Sequence, residues 1–395
     1  MFRIRTFNQI SVRGLERFDR ECYEVASEIG SPDAILLRSH KLVEAEIGGS
    51  VMAVARAGAG YNNIPVDACT ARGIPVFNTP GANANAVKEL VAAALLLGSR
   101  GIIEGVAFVN SLSSSMSGAE MSALLEKEKK RFAGHELRGK ILGVVGLGAI
   151  GSKVASLGLK LGMEVIGYDP ALSIEAAWRL SSEVRRMENL GSLFQRADFV
   201  TLHLPMLEST RNLVNAETLA VLRPGACVLN FARDGIVDVA AVVQALDSGN
   251  LARYITDFPD PRLIGRKDAL LMPHIGASTA EAEENCAVMA ADQLRGFLEH
   301  GNIRNSVNFP TLELERGATV VRLAITNRNK PGMLGNILSI LAAEGINVQD
   351  MLNRSRDDIA YNLIDVEVPP TDEVLARIRT IDGVVNVRLI PPASR

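Results

Sequence analysis

The sequence predicts an α/β chain built on parallel sheets, and three observations predict it. Short apolar runs that end in Gly, Pro, Ser or Asn alternate with stretches of helical pattern along most of the 395 residues. Aromatic residues are scarce at 5% while glycines number 34, a pairing that lets helices approach a sheet and lets backbone line a ligand loop. Several strand-like runs are apolar throughout, as strands covered on both faces must be. The length implies two to four domains, each with room for a core.

In the N-terminal part, AILLRS (34–39), MAVARAG (52–58) and IPVFNTPG (74–81) read as buried strands, with candidate helices from Pro65 to Arg72 and from Ala86 to Leu97. Between Ile102 and Gly139 come the small-residue tract SLSSSMSG and the helical AEMSALLEKEKKRF, where Glu126 and Lys130 stand at i, i+4. A crossover helix, an oligomer contact and a solvated face all fit that segment. A second series of strand-like runs begins near Lys140: KILGVVGLG, EVIGYDP, FVTLHLP, CVLNFA, YITDF and ALLMPH. Six such strands are the number a dinucleotide-binding domain uses. Ala280 to His300 reads as one long helix, capped by Ser278 or Thr279 and stopped by Gly301. The polar stretch at 302–318 reads as a linker. Beyond it TVVRLAITN, IAYNLIDVEV and VVNVRLI have strand character, and GMLGNILSILAAEG and TDEVLARIRTI have helix character. A short strand within Ile346–Met351 would complete a βαββαβ unit. The single tryptophan, Trp178, reads as a packing anchor.

Composition excludes several classes of function. Hydrophobic residues make 47% and charged residues 22%, the balance of a soluble globular protein, and the net charge of −3 advertises no basic face for nucleic acid. Cys22, Cys69, Cys227 and Cys286 form no C-x-x-C pair, so they read as buried free thiols rather than as metal ligands or a redox dithiol. The longest apolar run, Leu90 to Leu97, falls short of the ~20 residues that span a bilayer, and the amino terminus carries no apolar segment. A cytoplasmic protein without membrane contact is expected.

The most specific local signal is V-V-G-L-G-A-I-G at 144–151. Gly146 permits the tight turn off the strand, Gly148 lets backbone approach a pyrophosphate, and Gly151 lets the next helix pack on the sheet. Ala149 and Ile150 complete the turn, and the helix amino terminus faces the phosphates. The following strand ends in Asp169, whose carboxylate accepts from an adenosine ribose and repels a 2′-phosphate, so NAD is favoured over NADP. A nicotinamide enzyme also needs a proton-exchanging group and a cation that fixes the substrate. His203 and His274 both follow strands, at the edge where open α/β sheets bind ligands. Arg233, after the strand CVLN, is placed to grip a carboxylate with its planar fork.

NFARDGIVD, the strand-end Asp in YITDF, PHIGAS and the glycine fingerprint together resemble the D-isomer-specific 2-hydroxyacid dehydrogenases. RAGAGYNNI and RGIPVFNTPG are similar to that family's substrate-domain loops, and the last segment resembles a small amino-acid-binding regulatory (ACT) domain. The resemblance implies a Rossmann-type doubly wound domain at 99–275 inserted in a flavodoxin-like substrate domain at 1–98 and 276–305. A linker at 306–317 and an ACT-like domain at 318–395 would follow. It implies that His274 is the general acid/base, that Arg233 holds the substrate carboxylate, and that Asp257 lies by the nicotinamide. His203, Pro205, Ala232 and Gly276 would line the cofactor cleft. Arg56, Ala57 and Gly58 match the loop that receives the carboxylate and phosphate end of the substrate, with Asn78, Thr79 and Gly81 nearby.

One position departs from the family. Arg262 stands where a Glu usually pairs with the histidine, and Asp260 is the expected substitute. Similar ACT domains bind serine at a dimer interface; Asn329 and Asn347 match two of their asparagines, while Asn327 stands where serine-inhibited relatives often have a histidine. The implied protein is a homodimeric or homotetrameric NAD enzyme acting on a small anionic 2-hydroxy acid, with no resident metal. Which acid it takes stays open among a phosphorylated one, hydroxypyruvate, glyoxylate and 2-oxoglutarate. An NADH-sensing binding module of weak catalytic power is the other reading.

Overall fold

The computed structural model describes residues 1–178, 180–317 and 319–392. The expected first residue of the ACT-like domain, Ala318, and its end at 393–395 lie outside the described residues. The chain divides into two compact units, Met1–Asn83 with Thr279–Arg395, and Ala84–Ser278.

The first unit holds a parallel sheet of β1 (Phe2–Phe7), β2 (Tyr23–Ala26), β3 (Ala34–Leu37), β4 (Ala53–Arg56) and β5 (Val76–Phe77), in the order β2-β1-β3-β4-β5. β3 is buried along its whole length, which explains its unbroken apolar sequence. The helix Ala280–His300 lays Ala287, Ala290, Ala291 and Leu294 against Ile4, Leu36 and Ala55 on one face of this sheet. Ile35, Leu37, Val54 and Val76 meet Leu42 and Cys69 on the other. The long helix begins where the Thr279 hydroxyl accepts from Ala282 N at 3.1 Å and stops at Gly301, whose φ of 73° suits a residue without a Cβ.

The second unit is a parallel sheet of β6 (Ile141–Val145), β7 (Glu164–Tyr168), β8 (Arg185–Arg186), β9 (Phe199–Leu202), β10 (Cys227–Asn230), β11 (Arg253–Thr256) and β12 (Ala269–Leu271). Their order, β12-β11-β10-β9-β6-β7-β8, reverses direction between β6 and β9, which creates the crevice where doubly wound sheets bind nucleotides. β8 is an addition to the six strands read from sequence. The helix Ala84–Ser99 packs Val87, Val91, Ala94 and Leu95 into the cluster that contains Leu142, Phe199 and Ile255. It therefore belongs to this unit, and the change of unit falls at Asn83/Ala84 and Ser278/Thr279 rather than at 98 and 276.

The carboxy-terminal sheet is antiparallel, with β13 (Val321–Arg328), β14 (Val348–Arg356), β15 (Ile359–Val366) and β16 (Val384–Ile390) in the order β14-β15-β13-β16. The helices Met333–Ala343 and Asp372–Arg379 cover one face through Ile337, Leu341, Val374 and Ile378. The opposite face is not free: Ala324, Tyr361, Leu363 and Ile390 share a core with Phe297, Ile303, Phe309 and Leu312.

The stretch expected to be a linker is thus a packed part of the first unit. Ile303, Phe309 and Leu312 are at most 1% exposed, Ser306 bridges to Phe77, and Asn308 accepts from Val76 N and donates to Ile74 O. Polar neighbours masked these apolar residues in the sequence. Arg322 of β13 fastens the junction. It is fully buried, and its guanidinium donates to both oxygens of Asp365, at 2.6 and 2.8 Å, and to the carbonyls of His300, Leu314 and Glu315. The His300 carbonyl closes the long helix, where the helix dipole favours a cation.

Trp178 is 85% exposed and is not a packing anchor. Cys69, Cys227 and Cys286 are buried free thiols, whereas Cys22 is exposed. No single helix among the described residues is long and apolar enough to cross a membrane. Asp365→Ala strands a buried guanidinium and should cost about 3–5 kcal/mol, seen as a lower urea midpoint. The double replacement Arg322→Met with Asp365→Leu should recover most of that loss.

Candidate active site

In the second unit every strand runs the same way, so the strand carboxyl ends line one edge of the sheet. β6 leads directly into Gly146, which turns with φ +88°. A Cβ there would stand 2.5 Å from the His203 carbonyl oxygen, and one on Gly151 would stand 1.8 Å from Gly146 O. No described atom lies within 4 Å of the Cβ position of Gly148, and Gly148 and Ala149 are exposed. Gly146 and Gly151 are therefore demanded by the turn itself, whereas Gly148 leaves backbone open to an incoming group. Ile150 precedes the helix Gly151–Lys160.

Asp169 follows β7. Its Oδ2 accepts from Leu147 N at 2.8 Å and its Oδ1 from Ala171 N at 3.0 Å, which fixes the carboxylate against the glycine turn. Each oxygen keeps a further lone pair for a ribose hydroxyl. Asp257 follows β11 and is 1% exposed. Its Oδ2 accepts from Gly276 N at 2.9 Å, while its buried Oδ1 finds no partner among the described residues. Burial pushes the Asp257 carboxyl up, and the Gly276 N–H and the nearby His274 work against that shift. An open glycine cradle and an orphaned acceptor fit a dinucleotide whose pyrophosphate needs N–H donors and whose carboxamide supplies one.

The two candidate histidines differ in kind. His203, after β9, has Nε2 at 3.0 Å from the Thr201 hydroxyl and a buried Nδ1 without a partner among the described residues. Burial pushes its pKa down to about 3, so it stays neutral at any working pH. His274, after β12, is exposed and sets its ring 4.7 Å from that of Phe258. Of the pair, His274 is the one whose ring is open to an incoming ligand.

Arg233 is half-buried at the end of the β10 loop, where its Nη1 donates to Ala232 O at 2.6 Å. The loop is held by Asn230, which is fully buried, accepts from Ala232 N at 3.1 Å and donates to Arg233 O at 2.9 Å. Thr256 donates to Asn230 O at 2.8 Å and accepts from Phe258 N at 3.0 Å, so the loops after β10 and β11 are tied together. Sequence reasoning missed Thr201, Asn230 and Thr256. Their signal is a polar residue at or near the end of an otherwise apolar strand. Pro205 is exposed beyond His203, and its carbonyl accepts from the Thr210 hydroxyl at 2.7 Å.

Asp260 does not meet His274. Its carboxylate accepts from Arg262 N and Nε at 2.9 Å and from Nη2 at 2.9 Å, and this fork holds the carboxyl down to about 2. The residue caps a short turn of 3-10 helix at Pro261–Leu263. The shortened D-F-P-D-P loop places its acid beside the next arginine, so the expected substitution for the missing Glu is not made.

In the first unit the corresponding loops also follow parallel strands. Arg56 ends β4 and donates through Nε to Arg38 O at 2.9 Å. Ala57 N donates to Leu37 O at 2.8 Å. Thr79 N donates to Gly58 O at 3.0 Å, Asn78 Nδ2 donates to Ala59 O at 2.6 Å, and Gly81 turns with φ +83°. In the carboxy-terminal module Asn329 donates to Asp357 O at 3.1 Å, and Asn347 lies 3.5 Å from Glu367 Oε2. Asn327 is 2% exposed, accepts from Asn362 Nδ2 at 2.7 Å and donates to Arg328 O at 2.7 Å, so it serves the sheet.

Known proteins are similar along most of the chain. The family model described as D-isomer specific 2-hydroxyacid dehydrogenase, NAD binding domain, matches residues 104–276, and the ACT domain model matches 321–383. D-3-phosphoglycerate dehydrogenase of Haemophilus influenzae is 34% identical over 344 residues, 84% of this chain and 79% of the relative. Its Escherichia coli K12 namesake is 34% identical over 347 residues, with the same coverage. A solved structure of NAD+-bound 3-phosphoglycerate dehydrogenase from Entamoeba histolytica matches with a TM-score of 0.61 at 26% identity, covering 79% of this chain and 99% of that one. On this likeness the chain belongs to the D-isomer specific 2-hydroxyacid dehydrogenases, with their NAD-binding domain at its centre and an ACT domain at its end.

Proposed function

We propose that the chain oxidises 3-phosphoglycerate to 3-phosphohydroxypyruvate with NAD, the step that opens serine synthesis. The observation that carries this reading is the gathering of the glycine cradle, Asp169, Asp257, Arg233 and His274 on one sheet edge, in a chain similar over 84% of its length to D-3-phosphoglycerate dehydrogenases. Bound NAD supplies the nicotinamide carbon that accepts the hydride from C2. The Gly146–Gly151 turn and Asp169 would hold its pyrophosphate and ribose, and Asp257 Oδ1 would accept from its carboxamide.

The rest falls to the chain's own side chains. Arg233 grips the substrate carboxylate with its fork and draws charge toward the developing carbonyl. His274 takes the C2 hydroxyl proton as the C–H bond breaks, and returns it in the reverse direction. The Asp257 carboxylate, whose charge acts on the nearby His274, favours the imidazolium once formed. Arg56 to Gly58 and Asn78 to Gly81 receive the anionic end of the substrate. Asn329 and Asn347 would bind serine as a feedback effector in a cytoplasmic homodimer or homotetramer, whose subunit contact would include the helical segment beyond Ile102. The absence of a carboxylate hydrogen-bonded to His274 among the described residues is what a weakly catalytic NADH sensor would also show. Turnover decides between them.

A steady-state assay with NADH and 3-phosphohydroxypyruvate, run beside hydroxypyruvate, glyoxylate and 2-oxoglutarate, should show the phosphorylated acid preferred by kcat/KM. No turnover with any of the four would overturn the enzyme reading. His274→Ala should lower kcat by about 10²–10⁴ while NADH binding, followed by fluorescence, stays within two- to three-fold. His203→Gln should keep the acid and base limbs of the wild-type pH–rate profile, because His203 does not ionise in that range. Asp169→Ala should weaken NAD binding and cut the preference for NAD over NADP, measured as the ratio of the two kcat/KM values.

A further inference from the structure

We propose that Gln293, which the site above does not include, is a positioning residue for the substrate loops of the first unit. The inference rests on the reading of Arg56–Gly58 and Asn78–Gly81 as those loops. Gln293 sits on the helix Ala280–His300 and is 7% exposed, among the buried Ala290, Ala291, Leu294 and Phe297. Its Nε2 donates to the Asn78 carbonyl at 3.0 Å, while its Oε1 is buried without a partner among the described residues. Half of a polar amide is therefore left unsatisfied in an apolar setting, which a leucine or methionine of similar size would avoid. The residue type makes sense through the one bond that it does form.

That bond falls on a sensitive point. The Asn78 carbonyl and the Thr79 N–H belong to one peptide group, which is planar and turns as a unit. Gln293 holds the oxygen end, and Gly58 O accepts the Thr79 N–H at 3.0 Å on the other. The plane is clamped from both sides, by the long helix and by the neighbouring loop. Asn78 makes two further ties, through Nδ2 to Ala59 O at 2.6 Å and through its N–H to Asn305 O at 3.4 Å. Releasing the oxygen end lets the peptide rotate and slackens the bonds to Gly58 and Ala59, beside Arg56. Gln293 thus sets the relative height of two loops without touching substrate.

The test is the full-length protein with Gln293→Leu. KM for 3-phosphohydroxypyruvate should rise about ten-fold with kcat within two-fold, and the NADH dissociation constant should not change. Amide hydrogen exchange in peptides spanning 56–81 should quicken by about ten-fold. Gln293→Met carries the same expectation should the leucine variant fold poorly. Gln293→Lys, which keeps a donor in reach of the Asn78 carbonyl, should return KM to within three-fold of the parent. An unchanged KM, or unchanged exchange in a folded variant, overturns the proposal. If the parent protein does not turn over the phosphorylated acid, the proposed function fails instead, and the exchange measurement still judges the clamp.

Discussion

The parallel register of the seven-stranded sheet is the constraint on which the rest of the nucleotide unit depends. Strands that all point the same way must each be followed by a chain reversal at the same edge. Gly146 follows Val145, Asp169 follows Tyr168, His203 follows Leu202 and Asp257 follows Thr256, each as the next residue after its strand. Arg233 and His274 come within three residues of theirs. Convergence of these groups needs no long-range device, because sheet geometry performs it. What sheet geometry leaves loose is the orientation of each loop, and buried polar side chains supply it. Thr201 engages His203, Asn230 the Arg233 turn, and Thr256 joins two loops. Buried polar groups are tolerated when paired, and here they are spent on aim.

The two histidines show how environment rather than residue type assigns chemistry. Both lie at strand ends, and a pattern of letters cannot separate them. His203 is stripped of water around Nδ1 and stays neutral, so it offers shape and a weak acceptor. His274 keeps its exposure to solvent and has the Asp257 carboxyl nearby.

Most of the fold was legible because buried parallel strands are apolar runs, and β3, β4, β6, β9 and β10 stood out on that ground. β1 did not, since Arg3 and Arg5 alternate along it, and β14 was read only as a short strand within Ile346–Met351, because the rest of this edge strand is exposed and polar from Asn353 to Arg356. Along β1 the two arginines share one face and a short window hides the alternation, whereas the last four residues of β14 are polar on both faces. The segment after His300 failed for another reason. Its apolar residues, Ile303, Phe309 and Leu312, are spaced by neither 2 nor 3.6, because they fill gaps between sheets and belong to no regular element. At the site, the residues singled out by a glycine pattern or by a strand end do stand in the turns after their strands, whereas the Asp260 reading relied on where a shortened loop would carry a side chain. Loop conformation is set by local bonding, and Arg262 two residues away won.

The buried Arg322 junction has a consequence for how this chain changes over generations. A guanidinium inside a core, answered by one carboxylate and three main-chain carbonyls, cannot be dismantled one substitution at a time without passing through an uncompensated charge. The carbonyls belong to the main chain of the first unit and cannot be mutated away at all. An appended module joined by a flexible tether is easily lost or exchanged; one seated in this way behaves as a ratchet. Lineages that carry it are expected to retain the carboxy-terminal module as part of the enzyme's body, whatever becomes of the module's own ligands.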